Sequence, residues 1–268
     1  MNGGSRSTDG LRFAANLKWL FTEVPFLERF DRAAAAGFRG VEYASPYEHA
    51  PAALARRLAD AGLSQALINT PMGSEGSEGR RGLACVPSLR PEFEQGIRLA
   101  LEYAAALDCG IVHVVAGIRP EGVSDDRAFA EYLRNVAWAA ELAAQCGVTL
   151  VLEAQNRQDA PGFLLDSQNR AAAVVEAIGS AHVRLLFDVY HAQMSEGNLS
   201  ESFRSLLPLI AHVQIADVPG RHEPGSGEID YGHLFSVIEH SSYRGWIGCE
   251  YAPREGTESG LVWMKEQQ

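Results

Sequence analysis

The chain is poor in cysteine, with four in 268 residues, and Cys85, Cys109, Cys146 and Cys249 are scattered without a CxxC pair. A chain of this length buries enough core to hold itself without disulfides, which fits a reducing cytoplasm. Long hydrophobic runs are missing as well. None approaches the roughly 18 residues of a membrane span, and the opening MNGGSRSTDG lacks the apolar stretch of a secretory leader. Residues 1–10 are expected to form a flexible tail and residues 11–268 a single domain. Positive charge is also scarce: 23 Lys and Arg face 34 Asp and Glu, for a net charge of −11 and a pI near 5.2. Such a field repels phosphate backbones and anionic lipid, so neither nucleic acid nor a membrane surface is an expected partner. No GxGxxG or GxxxxGK[ST] follows the first strand-like run, which removes the phosphate cradle of a doubly wound nucleotide fold.

What is present is a regular alternation. Strand-like runs occur at LRFAAN (11–16), GVEY (40–43), QALIN (65–69), GIVHVVAG (110–117), VTLVLE (148–153), VRLLFD (183–188), AHVQIAD (211–217) and GWIGCE (245–250). Between them lie Ala- and Leu-rich segments with helical spacing, such as PAALARRLADAGL and DRAFAEYLRNVAWAAELAAQCG. Strand and helix alternating eight times over about 250 residues predicts an α/β fold, a (β/α)₈ TIM barrel. Gly37, Gly62, Gly110, Gly147 and Gly179 fall where helices should stop. Helix-to-strand turns are short, whereas the strand-to-helix segments 70–91, 156–167 and 218–230 are long and polar. Long loops confined to one face mark the functional face of such a barrel.

On that face the chemistry collects. Glu153, Asp188, Gln214 and Glu250 stand at or near the ends of strands five to eight, where a buried strand tolerates little charge along its length. Their convergence predicts an all-oxygen site for Mg²⁺ or Mn²⁺ rather than Zn²⁺. Such a cation can chelate two adjacent substrate oxygens and stabilise developing negative charge. Glu153 and Glu250, on opposite sides of it, would remove and return protons, while Asp188 and Gln214 anchor the metal. His191, three residues after Asp188 in DVYH, is a candidate for binding a substrate oxygen. Arg221, after strand seven, could clamp a substrate carboxylate or simply be solvated. Asn69, at the end of strand three, and Glu42, near the end of strand two, could each hydrogen-bond a substrate or position a metal ligand, and Glu42 could equally anchor a loop backbone. Arg80 and Arg81 could add positive charge for an acidic substrate. The segment EPGSGEIDYGHLF reads as loop architecture first and as a lid second, with Asp230 a helix N-cap.

The runs FAANLKWLFTEVPFLERFDRAAAAGFRGVEY, RGLACVPSLRPEFEQGI, DVYHAQMSEG, HVQIADVPGRHEPGSGEIDY and WIGCEYAP together resemble the hydroxypyruvate isomerase family, over about residues 11–264. That family sits among the xylose-isomerase-like TIM barrels, close to the 2-oxo-tetronate isomerases and related to ketose 3-epimerases and endonuclease IV-type nucleases. The resemblance implies that Glu153 and Glu250 are the paired proton carriers and that they, with Asp188 and Gln214, hold Mg²⁺. It also implies that His191 and Arg221 bind substrate oxygens. The chain departs from the family in places. Glu-Pro-Ile-Asn at strand five is here Glu153, Ala154, Gln155, Asn156; Ile68 stands where a His commonly precedes Asn69; and Val218 replaces an Asn after Asp217.

The reading is therefore a metal-dependent isomerase of a small sugar acid. The lead reaction is hydroxypyruvate to 2-hydroxy-3-oxopropanoate through an enediolate, with 2-oxo-tetronate isomerisation or ketose 3-epimerisation as alternatives. A phosphodiesterase acting on damaged DNA is disfavoured by the acidic charge and by Gln214 where those enzymes have His. A non-catalytic sugar-acid-binding protein is opposed by the presence of both Glu153 and Glu250. Expected partners are the small-molecule substrate and, for a homo-oligomer, further copies of the chain.

Overall fold

The alternation is realised as eight parallel strands closed into one barrel: β1 (Arg12–Asn16), β2 (Gly40–Tyr43), β3 (Ser64–Asn69), β4 (Ile111–His113), β5 (Thr149–Glu153), β6 (Val183–Asp188), β7 (Ile210–Ile215) and β8 (Trp246–Cys249). The computed structural model describes residues 10–265; all but Gly10 of the expected tail lies outside the described residues. Each strand pairs with the next, and β8 closes on β1 with Ala14 opposite Gly248. The outer ring is α1 (Arg29–Ala35), α2 (Pro51–Ala61), α3 (Arg90–Ala106), α4 (Asp125–Cys146), α5 (Gln168–Ile178), α6 (Val189–Ser195), α7 (Leu199–Leu206), α8 (Tyr231–Glu239) and α9 (Val262–Lys265). No described helix is long and apolar enough to cross a membrane. All four cysteines are free.

Local chemistry sets the ends of these helices. Ser124 opens α4 and Ser167 opens α5, each hydroxyl accepting the N–H three residues on. Gly147 closes α4 at φ 69°, a left-handed turn that any side chain would strain.

Two expected strands stop two or more residues before the C-terminal end of their apolar runs. β4 ends at His113 instead of Gly117, because the next carbonyls serve neighbouring loops: Cys85 donates to Ala116 O and Leu164 to Gly117 O, both at 2.9 Å. β7 ends at Ile215, and Asp217 becomes a loop staple. Its carboxylate accepts the N–H groups of Val218, Gly225, Gly227 and Ile229 at 2.8–3.1 Å. The segment read as loop before lid is thus fastened through its own backbone, and Asp230 then caps α8 by accepting His233 N–H.

Side chains alternate along each strand. One set, including Phe187, Val213 and Ile247, packs outward against the helices in the main apolar core. The other set points into the barrel, where Leu67, Val151 and Leu186 form a smaller apolar plug.

Candidate active site

All eight strands carry a polar residue at, or within one residue of, the C-terminal end: Asn16, Glu42, Asn69, His113, Glu153, Asp188, Gln214 and Glu250. Six of them line a cavity of about 650 Å³ in the barrel mouth; Glu42 and Asp188 do not. Asp188 lies just behind the wall at 1% exposure, and Glu42 is wholly buried beneath the floor.

Asp188 uses one carboxylate oxygen to cap α6, accepting Tyr190 N–H at 2.8 Å and His191 N–H at 3.2 Å. This turns the His191 ring inward, with Nε2 3.8 Å from both Glu153 Oε1 and Asp188 Oδ2. The other ring nitrogen, Nδ1, faces two donors of Asn156, the backbone N–H at 3.2 Å and the side-chain Nδ2 at 2.8 Å. The Asn156 amide cannot turn round, because its oxygen accepts Gln158 and Asp159 N–H while its nitrogen donates to Asp159 Oδ2. Nδ1 is therefore an acceptor and the imidazole proton sits on Nε2, aimed into the cavity. Burial and then Arg221 depress the His191 pKa to about 3, so the ring is neutral in use.

Arg221 comes from the loop after β7, with φ 56°. Its guanidinium lies between the rings of Trp19 and Tyr190, about 5 Å from each centroid. It donates to Glu250 Oε2 at 2.6 Å and to Asp188 Oδ2 at 3.4 Å, and one N–H comes within 3.5 Å of His191 Nε2, too long to compete with the short bonds at Nδ1. Burial works against its charge, but Glu250, Asp188 and Glu153 outweigh burial and raise the pKa.

Arg221 thus faces three carboxylates, of which Glu153 and Asp188 are buried and Glu250 is partly exposed. Burial, reinforced by Asp188 and Glu250, pushes Glu153 well above the usual carboxylate range. Burial lifts Glu250 to about 7 against the pull of Arg221, and Asp188 is raised by burial despite Arg221 and two N–H bonds. Ligand atoms of Glu153, Asp188 and His191 lie within 4.8 Å of one another, a cluster able to hold a metal ion. Within it the two carboxylates offer lone pairs, whereas His191 presents a proton. Gln214 completes an oxygen set: its nitrogen donates to Glu42 at 2.7 Å, which turns its carbonyl oxygen the other way. Excess negative charge and oxygen donors together suit a metal cation.

The structure brings Glu153, Gln214, Glu250, His191, Arg221 and Asn69 to one cavity, with Arg80 and Arg81 at its rim. It places Glu42 under the floor, away from any substrate. Three contributors were not singled out in the sequence. Asn16, donating to Glu42 at 2.9 Å and Glu250 at 3.2 Å, obeys the same rule of a polar strand end as the others. His113 was hidden because its apolar run continues past the strand; its Nε2 lies 3.6 Å from Glu153 Oε2 and has no hydrogen-bond partner. Asn156 acts through His191 and had no signal of its own. The departure at strand five lands on the chemistry, since Gln155 Nε2 donates to Glu153 Oε2 at 2.7 Å.

Comparisons with known proteins place the chain in a family. The chain is 46% identical to the 2-oxo-tetronate isomerase of Cupriavidus necator over 95% of its own length and 97% of the relative's. It is 41% identical to the hydroxypyruvate isomerase of Escherichia coli, covering 95% and 98%. A solved structure described as an AP endonuclease, family 2, from Brucella melitensis superposes with a TM-score of 0.92 at 42% identity, covering 96% and 99%. The family model described as xylose isomerase-like TIM barrel matches residues 30–267, so the chain belongs to that family and is one of its isomerases.

Proposed function

We propose that this chain is a divalent-cation-dependent isomerase of a small 2-oxo sugar acid, with hydroxypyruvate to 2-hydroxy-3-oxopropanoate as the lead reaction. The observation that carries the reading is the pair Glu153 and Glu250. Both are held in one cavity with carboxyl groups raised by burial, Glu153 well above the usual carboxylate range and Glu250 to about 7, so Glu250 can hold or release a proton near neutrality.

One glutamate takes the proton from C3 of the substrate, and the other returns a proton to C2 of the enediolate. The hydroxyl proton passes from O3 to O2, so atoms balance with no redox partner. A cation bound by Glu153, Asp188, Gln214 and Glu250 would supply electrostatic stabilisation of the two adjacent oxygens. His191 Nε2–H is a fixed donor for a substrate oxygen, and Asn16 and Arg221 hold the two oxygens of Glu250 in place. The substrate carboxylate meets Arg221 or, at the rim, Arg80 and Arg81.

A second reading, a four-carbon 2-oxo-tetronate as substrate, is supported by the cavity, which runs from the carboxylate cluster out to the two rim arginines, and by the 46% identity to a relative of that name. Proton NMR in deuterated water with Mg²⁺ or Mn²⁺, run on hydroxypyruvate, 2-oxo-tetronates and neutral ketoses, tests both. Expected are turnover and deuterium uptake at the isomerised carbon of an acid. Turnover of neutral ketoses alone would overturn the sugar-acid reading. The nuclease description of the Brucella protein suggests a third assay, binding of an abasic duplex at moderate salt, and a chain of charge −11 is expected to show none.

A further inference from the structure

Glu42 is a carboxylate with no access to solvent or to the cavity, and three side chains point at it. Its Oε1 accepts Asn16 Nδ2 at 2.9 Å and Gln214 Nε2 at 2.7 Å, while its Oε2 meets His212 Nε2 at 2.6 Å. Space for this carboxylate is created on β8. A Cβ built on Gly248 would collide with the Glu42 carboxyl group, so a side chain there would have to displace the carboxylate or the strand.

The consequences reach the site above. A carboxylate can only accept, so Glu42 fixes which end of two amides faces which way. Gln214 must give its nitrogen to Glu42 and turn its oxygen to the carboxylate cluster. Asn16 turns its nitrogen towards Glu42, with its oxygen accepting Lys18 N–H at 3.1 Å, and the same nitrogen holds Glu250 Oε1 at 3.2 Å.

We infer that Glu42 is a positioning residue: through Gln214 and Asn16 it orients two of the four proposed cation ligands, Gln214 and Glu250, from beneath the barrel floor. The inference rests on the cation reading of the site and not on the identity of the substrate. Partners behind ligands of this kind are worth 10–100-fold in metal affinity.

The test is calorimetric titration of the whole chain with Mg²⁺. Glu42→Leu removes all three acceptor contacts and is expected to weaken Mg²⁺ binding roughly 10–100-fold. Glu42→Asp keeps the charge beside His212, so it protects the fold, but it is too short to reach both amides and should lose affinity about tenfold. Glu42→Gln keeps an acceptor oxygen for Asn16 and Gln214. Its N–H can be accepted by His212 Nε2, with the imidazole proton moved to Nδ1, which has no partner. Affinity in Glu42→Gln should therefore stay close to wild type. Wild-type affinity in Glu42→Asp and Glu42→Leu would overturn the inference, as would a loss in Glu42→Gln equal to that in Glu42→Leu, which would assign the effect to charge. A wild-type chain that binds Mg²⁺ but isomerises no sugar acid would defeat the proposed reaction and leave this inference standing. One that binds no divalent cation would defeat the inference with the cation reading.

Discussion

Glu153 and Glu250 differ in what surrounds them, and the difference shapes their roles. Glu153 is almost completely buried and accepts from Gln155, while the Glu250 side chain keeps 16% exposure and is gripped by Arg221 and Asn16. An amide cannot take up a proton at either place. Glu153→Gln and Glu250→Gln are each expected to lower kcat by at least roughly 10³-fold, with circular dichroism unchanged; near-wild-type turnover by either would reject the two-glutamate chemistry. His191 supports a prediction that needs no substrate. Because Nδ1 accepts from Asn156 and burial holds the pKa near 3, nitrogen NMR is expected to find a neutral ring protonated at Nε2 from pH 5 to 8. A ring that titrates near 6.5 or carries its proton on Nδ1 would refute the donor role.

Elements fix where these residues stand, and β8 shows how narrowly. Gly248 has no room for a side chain because Glu42 occupies the space, so Gly248→Ala must displace either the strand or the carboxylate. A destabilisation of about 1–3 kcal/mol is expected from such overpacking, measured by urea unfolding, together with weaker Mg²⁺ binding; an alanine variant with both unchanged would show the floor to be soft. Much of this layer was legible in the sequence. A buried strand reads as an apolar run, and a polar residue at its end stands out against it, which is how Glu153, Asp188, Gln214 and Glu250 were found. Glu42 stands out in the same way, but the sequence leaves open whether it meets substrate, a metal ligand or a loop backbone, because the direction of a side chain at a strand end depends on register across the barrel, and Glu42 meets residues 170 and 172 positions away. His113 stayed hidden because apolar pattern does not reveal where a ladder ends; that end was set by loop donors from Cys85 and Leu164. Asp217 was read as the last residue of a strand, yet it is a staple for four N–H groups, an arrangement that only the closed loop creates.

For the whole molecule, the site's acids couple stability to pH and, on the proposed reading, to a bound cation. Glu250 is raised from 4.5 to about 7, and Glu153 is raised well above the usual carboxylate range, so between their unfolded and folded values the folded chain holds protons that the unfolded chain has released. Stability contributed by these groups is present at low pH and is lost as pH rises through the folded values. His113 and His191, both depressed from 6.5 to about 3, act in the opposite sense, but only below 6.5, where an unfolded imidazole takes up a proton and the folded one does not. The two effects offset each other below that pH, and above it the acids act alone. In chelator, the melting temperature is therefore expected to fall as pH rises from 6.5 through the folded Glu250 value of about 7. A cation competes with those same protons, so its benefit grows with pH. At 100 times its Kd a ligand adds about 2.7 kcal/mol, which for a chain of this size corresponds to roughly 5–10 °C. Scanning calorimetry at pH 8 should show that rise with Mg²⁺, a smaller one at pH 6.5, and full reversal by chelator. Melting temperatures that ignore Mg²⁺ at both pH values would mean that Arg221 alone balances the three carboxylates and that no cation belongs among them.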